Sequence, residues 1–263
     1  MNWVCGDVHG MVHTLEDLVR KIDAEDRHAE LIFVGDYVDR GPWSAEVVEY
    51  LLGLQKDRPA VCLRGNHDEF MDFFLNGTSE GGMGLEQGDP EEELGTFVWW
   101  MSNGGCPTLT SYGLTAELDI LHLGADLKRA VPETHGAFFR GLPLYWRCET
   151  HFACHAFFPP DQSPPVEPAF SQETKSEILW SRFGASEDYE GDMLEKDFAT
   201  TWDIVGVFGH TPTECYGERG PLASGQIRLV DTGACLGGGL TAYCCEQDRF
   251  VTVASDDRDL SAM

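Results

Sequence analysis

The chain has 263 residues, of which 42% are hydrophobic, and 45 acidic against 18 basic side chains give a formal net charge of −27 at pH 7. That apolar content, with 15 Phe and 7 Trp, excludes an intrinsically disordered chain, and the missing basic stripe excludes a binder of duplex nucleic acid, whose phosphates must be neutralised. No apolar run approaches the roughly twenty residues that cross a bilayer, and the nine cysteines are scattered without a Cys-x-x-Cys.

Met1-Asn2 runs into the first apolar stretch without a signal pattern, so a single domain over 1–263 is expected in the cytoplasm, with no membrane partner and no disulfide framework. Trp3–Cys5, Leu31–Val34 and Ala60–Leu63 read as buried strands. Between them, Leu15, Leu18, Val19 and Ile22 recur at helical spacing. Pro42 and Ser44 open a second helix with Val47, Val48, Leu51 and Leu52 on its buried face. A third helix follows His67 and points Phe70, Phe73 and Phe74 inward. Strands alternating with helices in this way are βαβ units, with parallel strands and right-handed crossovers.

Residues 76–93 are glycine-rich and acidic and read as a mobile loop. A helix restarts near Glu91 and buries Leu94, Phe97, Val98 and Met101. Another starts at Pro132 and ends before Pro143; Leu144–Cys148 and His151–Cys154 then form a hairpin around Glu149-Thr150. Phe158–Phe170, with five prolines, wanders over the surface near His155. Ile204–Gly209, Ile227–Asp231, Leu240–Cys245 and Phe250–Ala254 are strand-like and suggest an antiparallel finish, in which Cys244-Cys245 fill core.

Chemistry-bearing residues gather where apolar runs stop. Gly6-Asp7-Val8-His9-Gly10, Gly35-Asp36-Tyr37-Val38-Asp39-Arg40-Gly41 and Gly65-Asn66-His67-Asp68 follow the first three strands, and His155 and His210 follow two later ones. Open α/β sheets place their ligand crevice at strand C-termini. Carboxylates and imidazoles delivered to one crevice by five strands stock a two-metal site. His13, His28, His122, His135 and His151 lack such context and read as surface or packing residues, Asn103-Gly104-Gly105 as a helix stop, and Asp68 and Asp231 as orienting or structural.

The order and spelling of these motifs, with Leu179-Trp180-Ser181-Arg182, Gly209-His210-Thr211-Pro212 and Asp231-Thr232-Gly233-Ala234, resemble the calcineurin-like metallophosphoesterases, and within them the bacterial or phage-type phosphoprotein phosphatases. The resemblance implies an α/β fold, a mixed β-sandwich flanked by helices on both sides in four αββα layers. It implies that Asp7, His9 and Asp36 hold one metal, and Asp36, Asn66, His155 and His210 a second. Mixed nitrogen and oxygen ligation suits manganese, iron or zinc. His67 would protonate the leaving oxygen with Asp39 fixing its tautomer, and Arg40 and Arg182 would clamp phosphoryl oxygens. One departure is Ala156-Phe157 after His155, where the family usually has Ala-Gly; a phenylalanine there crowds or walls the cleft.

The implied reaction is hydrolysis of a phosphorylated protein at serine or threonine, by direct in-line attack of hydroxide held between two metals. The alternative is symmetrical hydrolysis of diadenosine tetraphosphate or another small phosphoester. Asp39 favours the protein phosphatase, since those hydrolases typically have a small residue there, whereas Asp68 after His67 is a spelling common in the hydrolases. The acidic charge repels an anionic substrate at long range and leaves attraction to metals and local arginines; solubility and selection of a basic target segment both fit it.

Overall fold

The computed structural model of the protein describes residues 1–77, 89–114, 122–184, 194 and 198–263. Strands β1 (Asn2–Cys5), β2 (Glu30–Phe33) and β3 (Ala60–Cys62) are parallel, and β9 (Leu240–Cys244) and β10 (Arg249–Val253) extend their sheet antiparallel in the order β10-β9-β1-β2-β3. The second sheet runs β4-β5-β6-β8-β7, from β4 (Trp146–Arg147), β5 (His151–Ala153), β6 (Val205–Phe208), β7 (Leu222–Ser224) and β8 (Ile227–Leu229). Here β5, β6 and β8 are the parallel trio, with β4 and β7 antiparallel at the edges. The antiparallel finish therefore holds for β9 and β10, while β8 joins β6 in parallel.

The sheets face each other across Val4, Ile32, Val34, Leu63, Ala153, Val207, Val230 and Tyr243, and the other face of the first sheet buries Trp3, Cys5, Leu31 and Phe33 under helices. Strands covered on both faces have no reason to alternate, so their sequences read as unbroken apolar runs. Two backbones meet without side chains between them: a methyl added at Gly6 would lie 2.3 Å from the Val230 carbonyl oxygen.

Helices lie on both outer faces, unequally. Helices α1 (Val12–Asp23) and α2 (Ser44–Asp57) cover the first sheet, and α3 (Asn66–Asn76) packs with α6 (Leu123–Ala130) and α7 (Glu133–Gly141). Leu52 of α2 is only half-buried, unlike Val47, Val48 and Leu51. On the second sheet, α8 (Gln172–Trp180) buries Ile178 among Phe152, Phe158, Trp202 and Phe208. The proline-rich run crosses the surface as expected, with Asp161–Ser163 and Val166–Ala169 exposed, and is pinned at two points: Trp202 Nε1 donates to the Pro159 carbonyl at 3.2 Å, and Tyr145 Oη to that of Pro165 at 3.1 Å.

Helix α4 (Pro90–Ser102) starts where expected, capped by the Asp89 carboxylate, but buries a different face. Leu94 and Val98 are 48% and 57% exposed, and Thr96 and Trp100 point inward. The reason is polar: the Trp100 indole N–H finds a buried acceptor, Asp39, that an aliphatic face would leave unpaired. The glycine-rich stretch at 78–88 lies outside the described residues. All nine cysteines are free, with Cys244 and Cys245 buried. The short helices α5 (Cys106–Ser111) and α9 (Asp257–Leu260) complete the set among the described residues. None of the described helices is long and apolar enough to cross a membrane.

Candidate active site

The six parallel strands release six chain turns at one edge of the sandwich. Asp7 and His9 follow β1, Asp36 follows β2, Asn66 and His67 open α3 after β3, His155 follows β5, His210 follows β6 and Asp231 follows β8. All eight side chains are buried. The turns are sharp: His9, Asp36, Asp39, Arg40 and His210 all have φ between 45° and 70°, a left-handed conformation that costs of order 1–3 kcal/mol at a residue other than glycine. Backbone pairing holds them there. His9 N donates to the Asp36 carbonyl at 2.8 Å, Arg40 N to Gly104 at 2.9 Å and Gly209 N to His155 at 2.7 Å.

Asp36 lies at the centre. Its Oδ2 is 3.5 Å from His9 Nε2 and 4.0 Å from His67 Nε2, and its Oδ1 is 3.4 Å from His155 Nε2. Its two oxygens thus face two clusters of donor atoms, His9–Asp36–His67 and Asp36–His155–His210, each within 4.8 Å. Asn66 Oδ1 stands between His155 Nε2, at 2.9 Å, and His210 Nδ1, at 3.0 Å. Rings are oriented from behind: His9 Nδ1 is 2.9 Å from the Val38 carbonyl and His155 Nδ1 is 3.1 Å from that of Val34, so each donates there and turns Nε2 inward.

This donor set fits divalent cations. Asp7 Oδ1 and His210 Nε2 are buried and have no hydrogen-bond partner. Burial, Asp231 and Asp36 together push the Asp7 carboxyl well above the usual carboxylate range, and burial pushes Asp231 up to about 6. Crowded buried carboxylates of this kind lack a positive charge. Burial also holds His9 and His210 well below the ordinary imidazole value, so both are neutral, as ligation requires. Asp36 behaves oppositely: burial opposes its charge, but His155, by charge and by hydrogen bond, holds its carboxyl well below the normal range.

A second group sits beside the clusters. His67 Nδ1 donates to Asp39 Oδ2 at 2.7 Å, and Arg40 reaches both imidazoles, Nη1 at 2.9 Å from His9 Nε2 and Nη2 at 3.0 Å from His67 Nε2. The Arg40 fork is thus engaged by imidazole lone pairs, not open. Behind His67, Asp39 accepts from Trp100 Nε1 at 2.9 Å and from Thr108 Oγ1 at 2.6 Å. Sequence reasoning missed Trp100 and Thr108, because nothing local ties residues 61 and 69 positions downstream to Asp39.

Of the residues singled out from the sequence, Asp7, His9, Asp36, Asp39, Arg40, Asn66, His67, His155 and His210 converge on this site. Arg182 stands at its rim, half-buried, close enough for its charge to depress the His210 pKa after burial and His155. Phe157 is half-buried and packs on Phe183, with ring centroids 4.6 Å apart. Asp68 orients the turn after β2, accepting from the backbone N–H groups of Gly65, Asp36 and Tyr37 at 2.8–3.0 Å. His135 and His151 are packing residues, hydrogen-bonded to Tyr112 and Tyr243.

The sequence pattern of the calcineurin-like phosphoesterases matches residues 3–214. Two curated relatives are named bis(5'-nucleosyl)-tetraphosphatase PrpE, asymmetrical. The protein from Oceanobacillus iheyensis is 25% identical over 264 residues, covering 96% of this chain and 91% of its own. That from Halalkalibacterium halodurans is 24% identical, covering 96% and 93%. Among solved structures, a candidate diadenosine tetraphosphatase superposes with a TM-score of 0.61 at 20% identity, covering 97% of this chain and 94% of its own. A serine/threonine phosphatase of Saccharomyces cerevisiae, similar to human PP5, gives 0.51 at 16% identity, covering 97% and 79%. At such identities these likenesses concern the fold.

Proposed function

The chain belongs to the calcineurin-like phosphoesterase family, and we propose that within it residues 1–263 form one catalytic unit that hydrolyses bis(5'-nucleosyl) tetraphosphates asymmetrically. Similarity to the PrpE proteins along 96% of the chain is the observation that carries this reading. It departs from the symmetrical reaction expected from the motifs as the alternative, because the relatives' names specify the asymmetrical one. Water adds across one P–O–P bridge: a new P–O bond forms, the bridging bond breaks, and the products are a nucleoside monophosphate and a nucleoside triphosphate.

Asp7, His9 and Asp36 would hold one divalent cation and Asp36, Asn66, His155 and His210 a second, with manganese, iron or zinc suited to the mixed donors. Such a pair lowers the pKa of a water and neutralises phosphoryl oxygens. The remaining work falls to protein groups. Arg40 exchanges its two imidazole contacts for two phosphoryl oxygens, which match its planar fork. Arg182 meets the phosphate chain at the rim. His67 Nε2, once Arg40 has left it, faces the leaving oxygen and delivers a proton to it, while the Asp39 carboxylate on Nδ1 keeps the ring in place.

That acid also supports a second reading. A leaving phosphate, with a pKa of about 6, departs without help from an acid. A serine or threonine alkoxide is far more basic and needs a proton. The 2.7 Å Asp39–His67 contact, braced by Trp100 and Thr108, therefore favours phosphoprotein hydrolysis. Catalytic efficiencies of manganese-loaded protein on diadenosine tetraphosphate and on a phosphothreonine peptide, measured side by side, separate the two. Preference for the dinucleotide, with AMP and ATP as products, supports the first reading; two ADP or a peptide preference overturns it. No metal-dependent turnover of either overturns both.

A further inference from the structure

Trp99, near the end of α4, and Trp180, the last residue of α8, stack on one another with ring centroids 4.5 Å apart and planes 24° from parallel. Both lie edge-on to Phe70, at 5.2 and 5.9 Å, and Phe70 is 6.3 Å from the His67 ring. The pair is thus one aromatic ring removed from the proton-transfer group. Trp99 is 41% exposed although its neighbour Trp100 is fully buried, and Leu94 and Val98 continue the apolar surface along α4. The buried Trp180 Nε1 has no hydrogen-bond partner, so ring contacts hold this indole in place. Arg182 follows two residues on, close enough to His210 for its charge to act there.

We propose that the Trp99–Trp180 stack is the platform on which one nucleobase of the substrate lies. This rests on the tetraphosphatase reading and adds to it the place of a base. An occupant of this rim must satisfy a flat apolar face and a cation, side by side, at the mouth of a phosphoryl site. A nucleoside polyphosphate carries a π-faced ring joined to an anionic chain and meets both demands. A phosphothreonine peptide brings the anion, but a flat face only where its sequence places an aromatic side chain nearby. With a chain carrying −27, the base contact also supplies attraction that net charge withholds. Base–indole stacking is strong enough to move a KM by about tenfold.

The test uses the metal-loaded full chain as wild type, Trp99→Ala and Trp99→Phe. KM and kcat are measured on diadenosine tetraphosphate, and inhibition constants for AMP and for inorganic phosphate against it. The alanine variant is expected to raise KM and the AMP constant about tenfold, leaving kcat and the phosphate constant unchanged, with phenylalanine restoring most of the loss. Unchanged KM in the alanine variant overturns the platform while the tetraphosphatase reading stands. Equal loss for AMP and phosphate, or no rescue by phenylalanine, reduces Trp99 to a packing residue and overturns it too. If wild type dephosphorylates a phosphothreonine peptide and leaves the dinucleotide intact, the tetraphosphatase reading itself fails and the platform loses its occupant.

Discussion

The floor of this site and its rim are built on opposite terms. The floor residues are buried, sit at strand ends in backbone conformations that only dense pairing sustains, and are hydrogen-bonded from behind. The rim consists of side chains at two helix ends, the 41% exposed Trp99 and the half-buried Trp180 and Arg182, held by ring contacts rather than by the main chain. The difference separates two problems that enzymes must solve. In the reading proposed here, a floor held by the main chain would treat any phosphoryl group alike, and a rim of packed side chains would select the molecule that brings it.

Changes to the floor should abolish chemistry whatever the substrate. Asp36→Asn removes the carboxylate shared by both donor clusters, and turnover should drop by at least about 10³-fold with loss of bound metal, read by kinetics and elemental analysis. If the variant still binds two metals, Asp36 is not the bridge. His67→Asn should cost about 10²- to 10⁴-fold on a phosphothreonine peptide and much less on a tetraphosphate, whose leaving group is weakly basic. Equal losses on both would remove His67 from proton transfer. Trp100→Phe keeps the ring and deletes one donor to Asp39, so kcat should fall about tenfold with KM unchanged.

Stripping the metals should leave Asp7, Asp36 and Asp231 facing one another, lowering the unfolding temperature by roughly 5 °C when metal was saturating. An unmoved unfolding temperature on calorimetry would show the carboxylates already neutralised. On the rim, Leu94→Lys should change stability by less than about 0.5 kcal/mol, since the side chain is exposed.

The same division explains what could be read from the sequence. The floor was legible because each strand ends in a short motif whose residues are neighbours in the chain, so Asp7 with His9 and Asn66 with His67 announce themselves. Asp231 carries the same signal after β8, at the sixth parallel strand end, yet its raised pKa and its place beside Asp7 appear only when the sheets face each other. Helix α4 was misjudged for a physical reason. Apolar periodicity assigns burial to Leu94 and Val98, but the decisive partner is a carboxylate more than fifty residues earlier, and a buried acceptor outranks a more greasy face. The stacking of Trp99 on Trp180 joins elements 81 residues apart, and no periodicity reports it.

Where the sandwich closes, Gly6 lies against the Val230 carbonyl, and a methyl on Gly209 would fall 2.0 Å from Asp7 Oδ1. At this edge the two sheets therefore meet with glycine against a carbonyl and a carboxylate, beside the layer of Val4, Ile32, Val34 and Val207 that fills the rest of their interface. Such a vise has fixed jaws. A side chain at either glycine would part the two edges, and with them the donor groups they carry.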